Sequence, residues 1–239
     1  MSKPNFPSYQ VRVSPKAKRV NLTISEVGEL NVVVPVGFDH RKIPEILLSK
    51  QKWIETTTAK VKAERALLCQ NAKVLPQEVN LIAIGESWQI QYTNHSEFLI
   101  RELDNNQLLV SDHYPKIRHT LSQWLIGKAT NYLIPQLRLV SQETSLPFCQ
   151  ASVRQQKSLW ASCSSRRNIS LNRNLLFLPP DVVHYVFIHE LCHTRHMNHS
   201  SDFWTLVGSY LPNYAHLDAQ LNQSQLFVPA WADISTMNL

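Results

Sequence analysis

Apolar and polar residues alternate through residues 9 to 36, in the runs YQVRVS, RVNLTIS and LNVVVP. Successive side chains on a strand point to opposite faces, so this alternation predicts strands with one buried face. The stretch Glu26-Val27-Gly28-Glu29 supplies a turn between the last two runs, and the segment reads as a hairpin-like β unit. From His40 to about Leu68 the spacing changes. Ile43, Ile46, Leu47, Trp53, Ile54, Val61 and Leu67 recur among lysines and glutamates, and Pro44 sits where the first turn of a helix tolerates it. A single long helical segment is expected there. Strand-like patterns return over residues 79 to 111 in VNLIAIG, WQIQYT, EFLIREL and QLLVS, separated by Gly85, Asn94-His95 and Asp104-Asn105-Asn106.

Past Pro115 the period becomes helical again. Ile117, Leu121, Trp124, Leu125, Ala129, Tyr132, Leu133, Leu137 and Val140 fall on one face between Lys116 and Glu143, which predicts a long amphipathic helix. Strands are expected over 149–156 and 168–178, on either side of the segment Lys157 to Ser165. Pro179-Pro180 ends the second of them and opens an apolar helix through Val182, Val183, Tyr185, Val186, Phe187, Ile188 and Leu191. Two shorter helices follow at about 201–210 and 214–223, and the tail from Leu226 to Leu239 shows no pattern. The fold class is therefore α+β. The expected organisation is a β-rich region with one long helix over 1–112, a second domain over 113–225, and a tail over 226–239.

The apolar helix carries the chemistry. Its end reads HELCHTRHMNH, from His189 to His199. Residues four apart on a helix share a face, so His189 and His193 can direct an imidazole nitrogen at one metal ion, about 2.0–2.1 Å away for zinc. Glu190 lies beside the first ligand, where it reaches a water at the ion without binding the ion itself; this is the position of a general base in a metal-assisted hydrolase. Histidines in an apolar helix need polar partners, and a metal is one.

Two residues compete for the third ligand. His196 lies on the same face, but at 1.5 Å per residue it stands about 10 Å along the axis from His189, too far to share an ion on a straight helix. His199 can return to the metal if the helix ends just after His196, and Asn198 is able to take the left-handed turn that stops it. The expected ligand set is His189, His193 and His199, with water in the fourth position and His196 beside the site or on the surface. Three protein ligands next to a glutamate describe an open, catalytic zinc site, whereas structural sites close with four. Cys192 points off the ligand face and reads as a small buried hydrophobe.

Composition sets the context. With 239 residues, 44% of them hydrophobic and 18% charged, the chain can bury a sizeable core. No stretch approaches the 18 or more apolar residues of a membrane span, and MSKPNFPSYQVRV lacks a signal-peptide core, so a cytoplasmic protein is expected. Cys69, Cys149, Cys163 and Cys192 are widely spaced and read as reduced thiols. The formal charge is +6, with cations gathered in Arg12 to Arg19, Arg41 to Arg65 and Arg154 to Arg173. That balance describes a solvated surface or an anionic partner, a nucleotide or nucleic acid.

The segments KSLWASCSSRRNISLN and VFIHELCHTRHMNHSSDFW, joined by a leucine-rich run ending in Pro-Pro, resemble the YgjP-like metallopeptidase-domain family, which is related to the SprT-like and WLM zinc proteases. The start VRVSPKAKRVNLTISEVGELNVVVPVGF, followed by a helix with Trp53, is similar to that family as well. The resemblance implies a compact zincin-like domain over 113–225, with the HExxH helix packed on the long preceding helix and beside a small sheet, His199 as third ligand and a peptide or protein substrate. Around Trp160 the chain departs from the family's KSRWGSCS by Leu159 for Arg and Ala161 for Gly, losing local charge and backbone freedom.

The expected activity is zinc-dependent hydrolysis of a peptide bond with Glu190 as general base. Tyr210, Tyr214, His216, Arg173 and Asn172 are candidates to stabilise the developing oxyanion, and Trp160 and Trp204 read as core or groove aromatics. Two rivals stand beside the peptidase. One is a metal-dependent hydrolase of nucleotide phosphoanhydrides drawing on Arg154, Lys157, Arg166, Arg167 and Arg173. The other is a nucleic-acid-associated zinc module.

Overall fold

The computed structural model describes residues 9–25, 28–94, 99–112 and 117–233, the side chains of 64, 65 and 67–73 excepted. Glu26 and Val27 of the expected turn, His95, Lys116 and residues 234–239 lie outside the described residues. The chain divides into two compact units, residues 1–71 and 72–239.

In the first unit the alternating runs form β1 (Tyr9–Val13), β2 (Asn21–Ile24) and β3 (Leu30–Val34). β2 and β3 pair antiparallel as the expected hairpin, while β1 crosses to the far side of β3 and pairs with it in parallel, giving the order β1-β3-β2. The most apolar strand thus takes the centre. Its Leu30, Val32 and Val34 are buried and share a core with Ile43, Leu47 and Ile54. These last three come from two helices, α1 (Ile43–Ser49) and α2 (Gln51–Lys73), rather than the one helix expected. The break falls at Lys50 (φ −112°, ψ 10°), where the Ser49 hydroxyl donates to the Ile46 carbonyl at 2.7 Å. A serine bonded back to its own helix competes with the continuing ladder.

In the second unit β4 (Glu78–Leu81), β5 (Glu86–Thr93), β6 (Ile100–Leu103) and β7 (Gln107–Ser111) form a sheet of order β4-β5-β7-β6. Val79, Leu81, Trp88, Ile90, Leu108 and Val110 from this sheet belong to one core with Leu121, Leu125, Leu133 and Leu137 of α3 (Ile117–Thr144). These strands therefore join the long helix in the compact unit 72–239.

After α3 come β8 (Gln150–Arg154), β9 (Ala161–Cys163) and β10 (Asn168–Asn172), in the order β8-β10-β9. β9 lies inside the segment expected to separate strands. The expected strand over 168–178 stops at Asn172, whose side chain accepts from the Asn174 amide at 3.0 Å and opens a 3-10 turn over Arg173–Phe177. Three helices follow: α4 (Pro180–Cys192), α5 (Ser201–Tyr210) and α6 (Tyr214–Gln223). α4 packs against α3, β9, α5 and α6.

The described part of the patternless tail, residues 226–233, is part of the structure. Val228, Trp231 and Ala232 are buried in the main core, with Trp231 edge-on to Phe177. The guanidinium of the fully buried Arg173 donates to the Ser122 carbonyl and hydroxyl and, at 2.8 Å, to the Ala232 carbonyl. No described helix is long and apolar enough to cross a membrane.

Candidate metal centre

Pro180 at the helix start and Asp181, which accepts from the Val182 amide at 2.9 Å, open α4 as its sequence implies. The helix ends sooner than expected. His193 is its C-cap, still with helical dihedrals (φ −64°, ψ −18°), and the Thr194 hydroxyl donates to the Leu191 carbonyl at 2.7 Å as the chain turns away. Asn198 is not among the residues with positive φ, so the expected left-handed stop at Asn198 is replaced by this turn at Thr194. The turn brings His199 back beside the helix.

The three histidines converge. His189 Nε2 lies 3.2 Å from His193 Nε2 and 3.0 Å from His199 Nε2. Tetrahedral ligation at 2.0–2.1 Å places nitrogens about 3.3 Å apart, so these separations fit a zinc-sized ion. Among the described residues, His189, His193 and His199 form the only group of three or more His, Cys, Asp or Glu placed to hold a metal ion. His193 Nδ1 donates to the His196 backbone carbonyl at 3.0 Å, which leaves its Nε2 as a bare lone pair. Burial, and then the charges of His193 and His199, push His189 down to about 4 against the opposing pull of Asp218. His193 is lowered as well, chiefly by burial. Both shifts favour the neutral imidazole, the form that binds metal.

Glu190 is 6% exposed, and burial alone pushes its carboxyl up to about 7. Its Oε2 has no hydrogen-bond partner among the described residues. The thiol of Cys163 on β9 is raised to about 11 by burial and next by the charge of Glu190.

The YgjP-like, metallopeptidase domain family matches residues 18–224. The chain belongs to the YgjP-like family. Among solved structures, the metallopeptidase zymogen of Pyrococcus abyssi abylysin is similar over 38% of this chain and 93% of that one, at 22% identity and a TM-score of 0.36. No curated protein matches.

Aromatic rings wall the histidines of this YgjP-like chain. The Ser200 hydroxyl accepts from the Phe203 amide at 3.4 Å and starts α5, which sets Phe203 and Trp204 against the site. Phe203 stacks on His193 with centroids 4.5 Å apart, and Trp204 stacks on His199 at 5.6 Å and on Tyr214 at 5.3 Å. Trp204 is thus a site aromatic, while Trp160 packs against the core.

Of the five residues considered for the oxyanion, three are engaged elsewhere. Arg173 holds Ser122 and Ala232, Asn172 donates to the Gln156 and Leu159 carbonyls, and the Tyr210 hydroxyl donates to the Thr144 carbonyl at 2.8 Å. Tyr214 stands beside the site through Trp204, and His216 is exposed on α6. Of the five cations considered for phosphate, Arg154, Lys157, Arg166 and Arg167 are exposed and Arg173 is buried away from solvent. Cys192 is fully buried, with its thiol pushed up to about 12, and acts as a small core residue.

Two residues linked to His189 in series carry no motif in the sequence. The Tyr185 hydroxyl lies 3.4 Å from His189 Nδ1 and donates to Asp218 Oδ1 at 2.8 Å. Tyr185 could have been found from its i−4 spacing to His189; Asp218, on α6, has no such signal.

Proposed function

We propose that the chain is a zinc-dependent metallopeptidase in which His189, His193 and His199 hold the ion and Glu190 is the general base. The observation that carries the reading is the unpartnered, buried Glu190 carboxyl, one residue past a histidine of the converging triad. A buried acceptor without a partner is costly, and a position that keeps one has a use for it. The ion, when bound, supplies Lewis acidity, which polarises a carbonyl and acidifies water.

The rest is done by the chain's own groups. The Oε2 atom of Glu190 takes a proton from water and passes it to the departing amine nitrogen. Burial raises its carboxyl above the ordinary carboxylate range, toward the neutral pH at which a general base works best. Phe203 stacks on His193 and Trp204 on His199, and these rings hold the imidazoles in place. The family description supports a peptide amide as the electrophile.

The test is to incubate zinc-loaded protein and a Glu190→Gln variant with a peptide library and a nucleotide panel. Peptide cleavage by the wild type, reduced at least about a hundredfold in the variant with zinc content unchanged, is expected. Cleavage confined to nucleotides would replace the peptidase by a phosphohydrolase, and equal activity in both proteins would remove Glu190 from the mechanism.

A further inference from the structure

The proton on a histidine ring decides which nitrogen faces a metal. Of the two histidines at the end of α4, His193 has this settled by the His196 carbonyl, whereas among the described residues His189 has no carbonyl or carboxylate on its Nδ1. It has the hydroxyl of Tyr185, one helical turn earlier, and behind that hydroxyl the carboxylate of Asp218 on α6. The direction of this chain of bonds follows from its end. A carboxylate has only acceptors, so at 2.8 Å the Tyr185 O–H must donate to Asp218 Oδ1. Having one proton, the hydroxyl can then only accept at the longer 3.4 Å contact, which requires His189 to carry its proton on Nδ1. The other oxygen of Asp218 is held by the Asn222 side-chain amide at 3.3 Å, which keeps the carboxylate turned toward Tyr185.

Resting on the metal-centre reading above, we propose that Asp218 and Tyr185 are positioning residues for His189: acting in series, they fix its proton on Nδ1 and present Nε2 to the triad as a lone pair. Asp218 acts only through Tyr185. The two sit on different helices, so the link also ties α6 to the ligand helix α4 and orients the imidazole ring about its Cβ–Cγ bond. Partners that orient a metal ligand in this way typically contribute 10–100-fold in metal affinity.

The experiment measures zinc affinity by chelator competition for the wild type, Tyr185→Phe, Asp218→Ala and the double variant, and reads the His189 tautomer by 15N NMR of the metal-free protein. Tyr185→Phe keeps the buried ring and should weaken zinc binding 10–100-fold. Asp218→Ala should weaken it comparably, although the side chain does not touch His189, and the double variant should lose no more than the weaker single variant. Asp218→Asn, which keeps an acceptor oxygen in place, should restore most of the affinity and serves if the alanine variant does not fold. His189 should be an Nδ1–H tautomer in the wild type and a mixture in Tyr185→Phe. Undiminished affinity in Asp218→Ala, losses that multiply in the double variant, or an Nε2–H tautomer in the wild type would each overturn the relay. A wild type that binds no zinc would instead sink the metal-centre reading, and the tautomer would still decide the relay.

Discussion

The Nδ1 atom of His193 donates to the backbone carbonyl of His196 at 3.0 Å, so the residue that competes for third ligand by spacing serves the site through its main chain. Replacing the side chain of His196 leaves that carbonyl in place. Zinc content by elemental analysis should therefore be near wild type in His196→Ala and strongly reduced in His199→Ala. His189→Ala and His193→Ala should lose tight binding, because two imidazoles do not hold the ion against a chelator. Undiminished zinc in either of these last two would remove the site.

Chelation gives a second test. A ligand bound only by the native state adds RT ln(1 + [L]/Kd), about 4 kcal/mol when free zinc is ~1,000 times Kd. The core of the second unit, from Val79 to Ala232, does not depend on the histidines, so metal-free protein should stay folded at room temperature and melt at a lower temperature than the zinc form. Loss of the far-ultraviolet circular dichroism signal on chelation would make the ion a structural element and undercut the catalytic reading.

What the sequence made legible here was local. The i, i+4 spacing of His189 and His193, the alternation in β2 and β3, and the extents of α5 and α6 all depend on neighbours a few residues away. Where a side chain competed with the pattern, the expectation slipped: Ser49 broke the first long helix, and Thr194 ended the histidine helix before His196. Contacts between distant segments left no period to read. The parallel pairing of β1 with β3, the union of the four-stranded sheet with α3, the placement of Asp218 beside Tyr185 and the docking of Trp231 are of this kind. Arg173 shows what charge alone leaves out: it stands in a basic stretch of the sequence and is the largest fully buried side chain among the described residues.

Glu190 gives a pH-dependent prediction with a definite sign. Burial raises its carboxyl from 4.5 to about 7, so between those values the native state keeps a proton that the unfolded state has released. Stability contributed by the neutral carboxyl is fully present below pH 4.5 and is lost as pH rises through about 7, by about 3 kcal/mol in all. Glutamine cannot ionise. In metal-free protein the melting temperature of Glu190→Gln should therefore rise relative to wild type from about pH 4.5 to 7 and hold a constant lead above that. His189 and His193 titrate in both proteins, and their effects cancel in the difference. A difference that does not vary with pH would show that the carboxyl is not held in a desolvated position.

Arg173 and the C-terminal tail supply the last prediction. The Arg173 guanidinium joins α3, through Ser122, to the tail, through Ala232, and Arg118 adds a second tie at 3.0 Å to the Trp231 carbonyl. Desolvation lowers the Arg173 pKa to about 10, still a cation near neutral pH, so the buried charge is held by carbonyl oxygens rather than by a counter-ion. Arg173→Met fills similar space without donors, so the Ala232 carbonyl and the Ser122 hydroxyl lose the guanidinium, while the Ser122 carbonyl keeps its bond within α3. Losing the hydrogen bonds of a charged group should cost about 3 kcal/mol, a fall of roughly 10 °C in melting temperature for a domain of this size. Because the histidines are held by α4 and the turn after it, zinc content should be unchanged. Limited proteolysis should cut Arg173→Met near Trp231 well before it cuts the wild type. Equal protection of the tail in the two proteins would show that Trp231 packing alone holds it, and that the arginine is dispensable.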